Sequence, residues 1–115
     1  MQTIQVTIDA LVGSDVIPFW RAVLGYQDRV DSSEDLTDPR GRGPSLWFQQ
    51  MEVPRPQRNR IHIDIWMSHN QAQARIAAAI AASSRFVTDE HAPSWWVLAD
   101  AEGNKACVAT WMGRD

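Results

Sequence analysis

A six-residue pattern occurs twice in this chain, half a chain length apart. Ile-Gln-Val-Thr-Ile-Asp at 4–9 and Ile-His-Ile-Asp-Ile-Trp at 61–66 are separated by 57 residues in a chain of 115. In both segments β-branched residues alternate with polar or larger ones, which is the period-2 pattern of a strand with two different faces. The repeat predicts two copies of one structural unit, each opening with a strand.

The first of these strands is followed by a helical pattern. Apolar residues recur at helical spacing from Val16 to Leu24, Gly25 is a stop signal, and Ser14 or Asp15 is the expected N-cap. Pro18 is then expected in the first turn, where its missing N–H is tolerated.

The second strand is followed by an alanine-rich helix, predicted over 71–82 with Ser68 or Asn70 as its cap. The apolar residues of the two strands are expected to pack under the helices: Ile4, Val6, Ile8, Ile61, Ile63 and Ile65.

Further strands complete each half. They are predicted at 26–31 and 44–51, with a shortened third strand, in the first half, and at 85–88, 94–99 and 106–111 in the second. Similar turn signals, Asp-Pro-Arg-Gly at 38–41 and Asp-Ala-Glu-Gly at 100–103, precede the last strand of each half.

The predicted fold is therefore α+β, with two tandem βαβββ modules that form a curved mixed sheet around a cleft and carry the helices on the outer face. Because a unit of about 50 residues rarely holds a sufficient core alone, both modules are expected to form a single domain over 1–115. Module one is placed at about 1–52, the linker at about 53–60 and module two at about 61–115.

Charge and cysteine usage exclude several functions. A net charge of −3 gives no positive field for nucleic acid, and no apolar run is long enough for a membrane span. Cys107 is the one cysteine, which rules out an internal disulfide and fits a reducing, cytoplasmic setting. Six tryptophans in so short a chain indicate an apolar ligand pocket or an interface, and we expect a homodimer.

The chain resembles the vicinal oxygen chelate superfamily, which includes glyoxalase I, the bleomycin-resistance proteins and the extradiol dioxygenases. It is most similar to the short, single-chain glyoxalase-like domain group. Four segments carry the resemblance in order and spacing: 19–26 (FWRAVLGY), 43–49 (GPSLWFQ), 59–64 (NRIHID) and 96–104 (WVLADAEGN).

The resemblance implies four metal-ligand positions in metal-dependent members, and these fall on Gln5, Trp47, His62 and Cys107. Gln5 and His62 could coordinate a divalent ion, but Trp47 cannot, and a lone cysteine substitutes poorly for a carboxylate. The cofactor is therefore left open, and a divalent metal is not favoured.

The resulting hypothesis is a small-molecule-binding protein with its pocket between the modules. The expected ligand-binding residues are Gln5, Thr7, Trp47, His62, Trp66 and Cys107. The alternative is a lyase or isomerase that acts on a small carbonyl or hydroxyl compound, with His62 and Asp64 as the catalytic acid–base pair. Both compete with simpler interpretations, in which His62 is a half-buried strand histidine and Cys107 an inert core residue.

Arginines cluster in the loop and the linker, at positions 40, 42, 55, 58 and 60. Such residues are normally only solvated, although Arg side chains can also hold an anionic substrate.

Overall fold

A computed structural model describes residues 4–53, 63–82 and 85–113. The elements run in the order β1 (Gln5–Ala10), α1 (Gly13–Leu24), β2 (Gln27–Asp28), β3 (Asp35–Thr37), β4 (Ser45–Gln50), β5 (Ile63–Trp66), α2 (His69–Ala81), β6 (Arg85–Thr88), β7 (Trp95–Ala99) and β8 (Lys105–Ala109). The two tandem βαβββ modules predicted from the repeat are confirmed. The predicted linker falls mostly outside the described residues.

Each module forms one four-stranded mixed sheet, and both sheets have the same topology. The strand orders are β1-β4-β3-β2 and β5-β8-β7-β6. The first strand of each module pairs in parallel with the last, and the other pairings are antiparallel. The first strands, β1 and β5, are consequently edge strands, each with one side that no strand of its own sheet covers.

The helices pack against each other and against β4 and β8. The core between helices and sheets contains Phe19 and Trp20 of α1, Leu46 of β4, and Leu98 and Val108 of module two, all at most 2% exposed. Within the described residues, no helix is long and apolar enough to cross a membrane.

The repeated strand residues pack as predicted, with one exception. Val6, Ile8, Ile63 and Ile65 are half-buried against the core, which confirms their orientation toward the helices. Ile4 is 67% exposed, because it precedes the first residue of β1 and is not covered by the helix layer. Ile61 lies outside the described residues.

The start of α1 differs from the prediction. The helix begins at Gly13, its N-cap is Val12, and neither Ser14 nor Asp15 caps it. Pro18 therefore lies beyond the first turn, within the helix. The expected side-chain cap is replaced by a carboxylate from the other module, which the local sequence cannot reveal.

That carboxylate belongs to Glu102, in the turn between β7 and β8. Its two oxygens accept hydrogen bonds from the backbone N–H groups of Leu11 and Val12, both at 2.9 Å. A negative charge at a helix N-terminus interacts favourably with the helix dipole. The hairpin of module two thus holds the beginning of the module-one helix.

Asp100 fixes the same hairpin turn from within the core. One carboxylate oxygen accepts from the backbone N–H groups of Glu102 and Asn104, and the other accepts from Trp20 Nε1 and Asn104 Nδ2, at 2.9–3.0 Å. Asp100 is completely buried, and these four donors satisfy it. Since Trp20 belongs to α1, this carboxylate also links the two modules.

The second helix begins at His69, two residues before the predicted start, and has one of the two expected caps. Ser68 is its N-cap and accepts a hydrogen bond from the backbone N–H of Gln71 at 3.3 Å. Among the strands, Arg85–Thr88 matches the prediction. The strand β2 covers only two of the residues predicted at 26–31, and β3 lies between the strands predicted at 26–31 and 44–51.

Candidate functional site

A cavity of about 430 Å³ lies where the two modules meet. We call it the seam cavity. Its walls come from β1, β4, the end of α1 and the loop before β4 in module one, and from all four residues of β5 in module two. Its apolar lining includes Val6, Leu46, Ile63 and Ile65. The volume falls within the ~300–1,000 Å³ of typical ligand sites.

The polar end of the seam cavity is a loop organised by Asp38. Its carboxylate accepts from the backbone N–H groups of Arg40, Arg42 and Gly43 at 2.9–3.2 Å, and from Arg40 Nε at 3.1 Å. These hydrogen bonds, first among them the one from the Arg40 backbone, hold the pKa of Asp38 well below its usual range. Asp38 is therefore ionised at neutral pH, and its hydrogen-bonding capacity is largely used by the loop itself.

Arg40 lines the seam cavity and is only partly engaged. Its Nε forms the ion pair with Asp38 at 3.1 Å, and 61% of its side chain is exposed. Within 4–53, 63–82 and 85–113, its two terminal nitrogens donate no hydrogen bond to any side chain or carbonyl. Asp38 thus holds the guanidinium through Nε and leaves the terminal nitrogens available to other acceptors.

Tyr26, directly after the C-cap of α1, places its hydroxyl beside the same loop. The hydroxyl lies so close to Gly43 that a Cβ at that position would collide with it. Burial, and then the negative charge of Asp38, raise the pKa of Tyr26 above its ordinary value, so the phenol stays protonated and can donate.

A second guanidinium lies nearby, on α2. Arg75 donates from Nη1 to the backbone carbonyl of Val23 at 3.1 Å, near the end of α1. Burial and then the positive charge of Arg40 lower the pKa of Arg75. The two arginines are therefore close enough to repel each other.

Asp64 and Cys107 interact across β5 and β8, where they are register partners. Burial, followed by the charge of Asp64 and a hydrogen bond to it, raises the pKa of the Cys107 thiol to about 11. The thiol remains protonated at neutral pH, which makes it a poor nucleophile and a poor metal ligand.

The structure brings some of the predicted site residues to the seam cavity. Asp64 and Trp66 line it, and Cys107 is buried beside Asp64. Thr7 and Trp47 are register partners on β1 and β4, at positions that correspond to Asp64 and Cys107 in module two.

Three of the expected ligand-binding residues, all in module one, do not line this cavity. Gln5 and Thr7 are exposed and Trp47 is half-buried, and all three alternate with the cavity-lining residues of their strands. His62 lies outside the described residues.

The sequence did not single out Tyr26 as a site residue. Arg40 was noted only as one of five clustered arginines. Gly43 was the one sequence feature that could have pointed to Tyr26 and Arg40. A loop glycine beside a strand indicates that another group approaches the backbone closely. The partner in that approach, Tyr26, is 17 positions away and becomes evident only in the folded chain.

Two of the four positions that the superfamily uses for metal ligands, Trp47 and Cys107, are poorly suited to hold a metal ion. Trp47 offers only an indole N–H, which cannot ligate a cation. The Cys107 thiol is held protonated by burial and by Asp64. In the part of the chain that the structure describes, no three His, Cys, Asp or Glu residues are grouped closely enough to hold a metal ion.

Comparisons with known proteins agree with this fold. A family model described as a glyoxalase-like domain matches residues 5–109. The chain belongs to this glyoxalase-like domain family, within the vicinal oxygen chelate superfamily. No curated protein matches the chain closely enough to count as a relative.

Solved structures show the same architecture at low sequence identity. A glyoxalase/bleomycin resistance protein from Albidiferax ferrireducens T118 is 20% identical, with a TM-score of 0.67 over 92% of this chain and 95% of that one. A glyoxalase/bleomycin resistance protein/dioxygenase family enzyme from Burkholderia phytofirmans PsJN is 17% identical, with a TM-score of 0.69 over 92% and 95%. A glyoxalase-related enzyme from Fulvimarina pelagi is 11% identical, with a TM-score of 0.71 over 95% and 87%.

Proposed function

We propose that this chain binds a small organic molecule in the seam cavity, without the metal-ligand set of the metal-dependent superfamily members. The observation that carries the proposal is the cavity itself, about 430 Å³ between the modules, with apolar walls and a few polar groups at one end. That combination is typical of sites for small organic ligands. The face formed by Gln5, Thr7 and Trp47, which lies on the other side of the sheet from this cavity, stays a proposed second contact surface.

A variant with a partly filled cavity tests the proposal. Val6 is half-buried and lines the cavity, so Val6→Phe should fill part of it while keeping a residue that suits a strand. Ile80→Phe on α2 is the matched control, because Ile80 is 42% exposed and does not line the cavity.

The assay is a fragment screen read by thermal shift and by quenching of tryptophan fluorescence. Fragments that bind the wild type should bind Val6→Phe at least tenfold more weakly and Ile80→Phe equally well. Equal affinity for both variants would contradict the assignment of the cavity. One equivalent of divalent metal per chain, in protein purified without chelator, would contradict the metal-free part of the proposal.

A lyase or isomerase is the second candidate, with His62 as acid–base residue beside Asp64. The observation that favours it is Asp64, a carboxylate at the cavity wall two positions from His62 in sequence. His62→Gln should then leave the fold nearly intact, because Gln5 occupies the corresponding place in module one. Turnover or binding should fall at least tenfold, about 1.4 kcal/mol. An unchanged ligand-induced shift in melting temperature would remove His62 from the site.

A further inference from the structure

We propose that the seam cavity selects molecules with one carboxylate group on an apolar ring, and that Arg40 and Tyr26 bind the carboxylate. This inference rests on the proposed function, since it names the ligand class for the same cavity. It assigns the polar end of the cavity to the anion and the walls formed by Val6, Ile63 and Ile65 to the apolar ring.

Arg40 is oriented by Asp38. Asp38 binds Nε and the backbone N–H of the same residue, which fixes the side chain at its base. Among the described residues the terminal nitrogens have no hydrogen-bond acceptor, so they can bind a ligand, and a guanidinium presents them in the planar geometry that matches a carboxylate. An arginine that is already ordered loses less conformational entropy when a ligand binds than a free surface arginine does.

Tyr26 supplies a second donor at the same end. Its hydroxyl donates no hydrogen bond to any residue that the structure describes, although it is half-buried next to the loop. A ligand oxygen placed between the phenol and the guanidinium would satisfy both donors at once. Gly43 makes this arrangement possible, because a side chain there would push the phenol away.

The local charges favour a single negative charge on the ligand. Arg40 and Arg75 contribute two positive charges, and Asp38 balances one of them through its ion pair. Asp64 also lines the cavity, and its negative charge, which a hydrogen bond with the neutral Cys107 thiol does not cancel, disfavours a second negative charge on the ligand. A monoanion relieves the repulsion between the arginines, whereas a dianion would be repelled by the two aspartates.

The other walls define the rest of the ligand. Val6 and Leu46 from module one face Ile63 and Ile65 from module two across the seam. Apolar strand surfaces on both sides of a cavity can bury an apolar ring, and each Å² of apolar area removed from water contributes to binding. The class is therefore an aromatic or alicyclic monocarboxylic acid.

The experiment compares acids with their neutral amides. Benzoate, naphthalene-2-carboxylate and cyclohexanecarboxylate are titrated beside the matching amides, with tryptophan fluorescence and calorimetry as readouts. The variants are Arg40→Gln and, as matched control, Arg42→Gln, since Arg42 belongs to the same loop and its side chain does not line the cavity.

The expected result is an affinity at least tenfold higher for the best acid than for its amide in the wild type and in Arg42→Gln. Arg40→Gln should abolish that preference and leave the affinity for the amide unchanged. Acids and amides that bind equally well to the wild type would overturn this inference and leave the proposed function standing. If neither acids nor amides bind, and the fragment screen also yields no ligand, the proposed function itself is overturned.

Discussion

Replacing Asp100 with asparagine should destabilise the chain by about 3 kcal/mol or more. The buried carboxylate accepts four hydrogen bonds, two at each oxygen. Asparagine retains one acceptor oxygen, so in either orientation its NH₂ group faces two donors. Two hydrogen bonds to a charged acceptor are worth ~1.5–3 kcal/mol each, and removing a buried charge offsets part of that loss.

A double-mutant cycle with Trp20→Phe isolates the contact between the modules. Phenylalanine keeps an aromatic ring in the core but removes the Nε1 donor that bonds Asp100 at 3.0 Å. In the Trp20→Phe background, Asp100→Asn should lower the free energy of unfolding by ~1 kcal/mol less than in the wild type, because one of the N–H donors that would face the asparagine NH₂ group is gone.

The assay is urea unfolding followed by far-ultraviolet circular dichroism, which does not depend on the tryptophan that is removed. A loss of ~3 kcal/mol corresponds to a melting temperature lower by ~12 °C for a domain of this size. A loss below ~1 kcal/mol for Asp100→Asn, or a cycle with no coupling, would refute the view that this carboxylate joins the hairpin of module two to the helix of module one.

Three further predictions concern the loop, the cysteine and assembly. Gly43→Ala should displace Tyr26 and weaken acid binding in the fluorescence titration. The control is Gly41→Ala, where φ is +69° and the space around the residue is open; it should lower stability by ~1 kcal/mol and leave the affinity for acids unchanged. Alkylation of Cys107 should rise with a midpoint near pH 11, and Asp64→Asn should lower that midpoint. Because folding raises the pKa of this thiol from 9.0 to about 11, the stability that the thiol contributes is present below pH 9 and is lost between pH 9 and 11. Light scattering should show a homodimer, and a species of 13.0 kDa would contradict this expectation.

The duplicated architecture was predictable because the period-2 strands and the helical spacing are local signals. The parts that sequence reasoning missed depend on contacts between distant residues. The start of α1 was misplaced because Glu102, about 90 positions away, supplies the partner for the helix N-terminus. The strand β3 has three residues, too few for a period to be recognised.

The candidate site was predictable in part for the same reason. Asp64 and Trp66 belong to a repeated strand, so their position at the seam could be anticipated from the duplication. Tyr26 could not be assigned, since its role depends on the close approach of its hydroxyl to Gly43. The interaction between Asp64 and Cys107 depends on the strand register, which the sequence leaves open.

If the seam between the modules is the ligand-binding site, a bound ligand must contact the isoleucines of β5. The most direct test is a methyl NMR spectrum of isoleucine-labelled protein, recorded during titration with the best fragment from the thermal-shift screen. The methyl signals of Ile63 and Ile65, which line the cavity, should shift, and that of Ile80 on the exposed side of α2 should stay in place. Binding that moves Ile80 and leaves Ile63 and Ile65 unchanged would contradict the account.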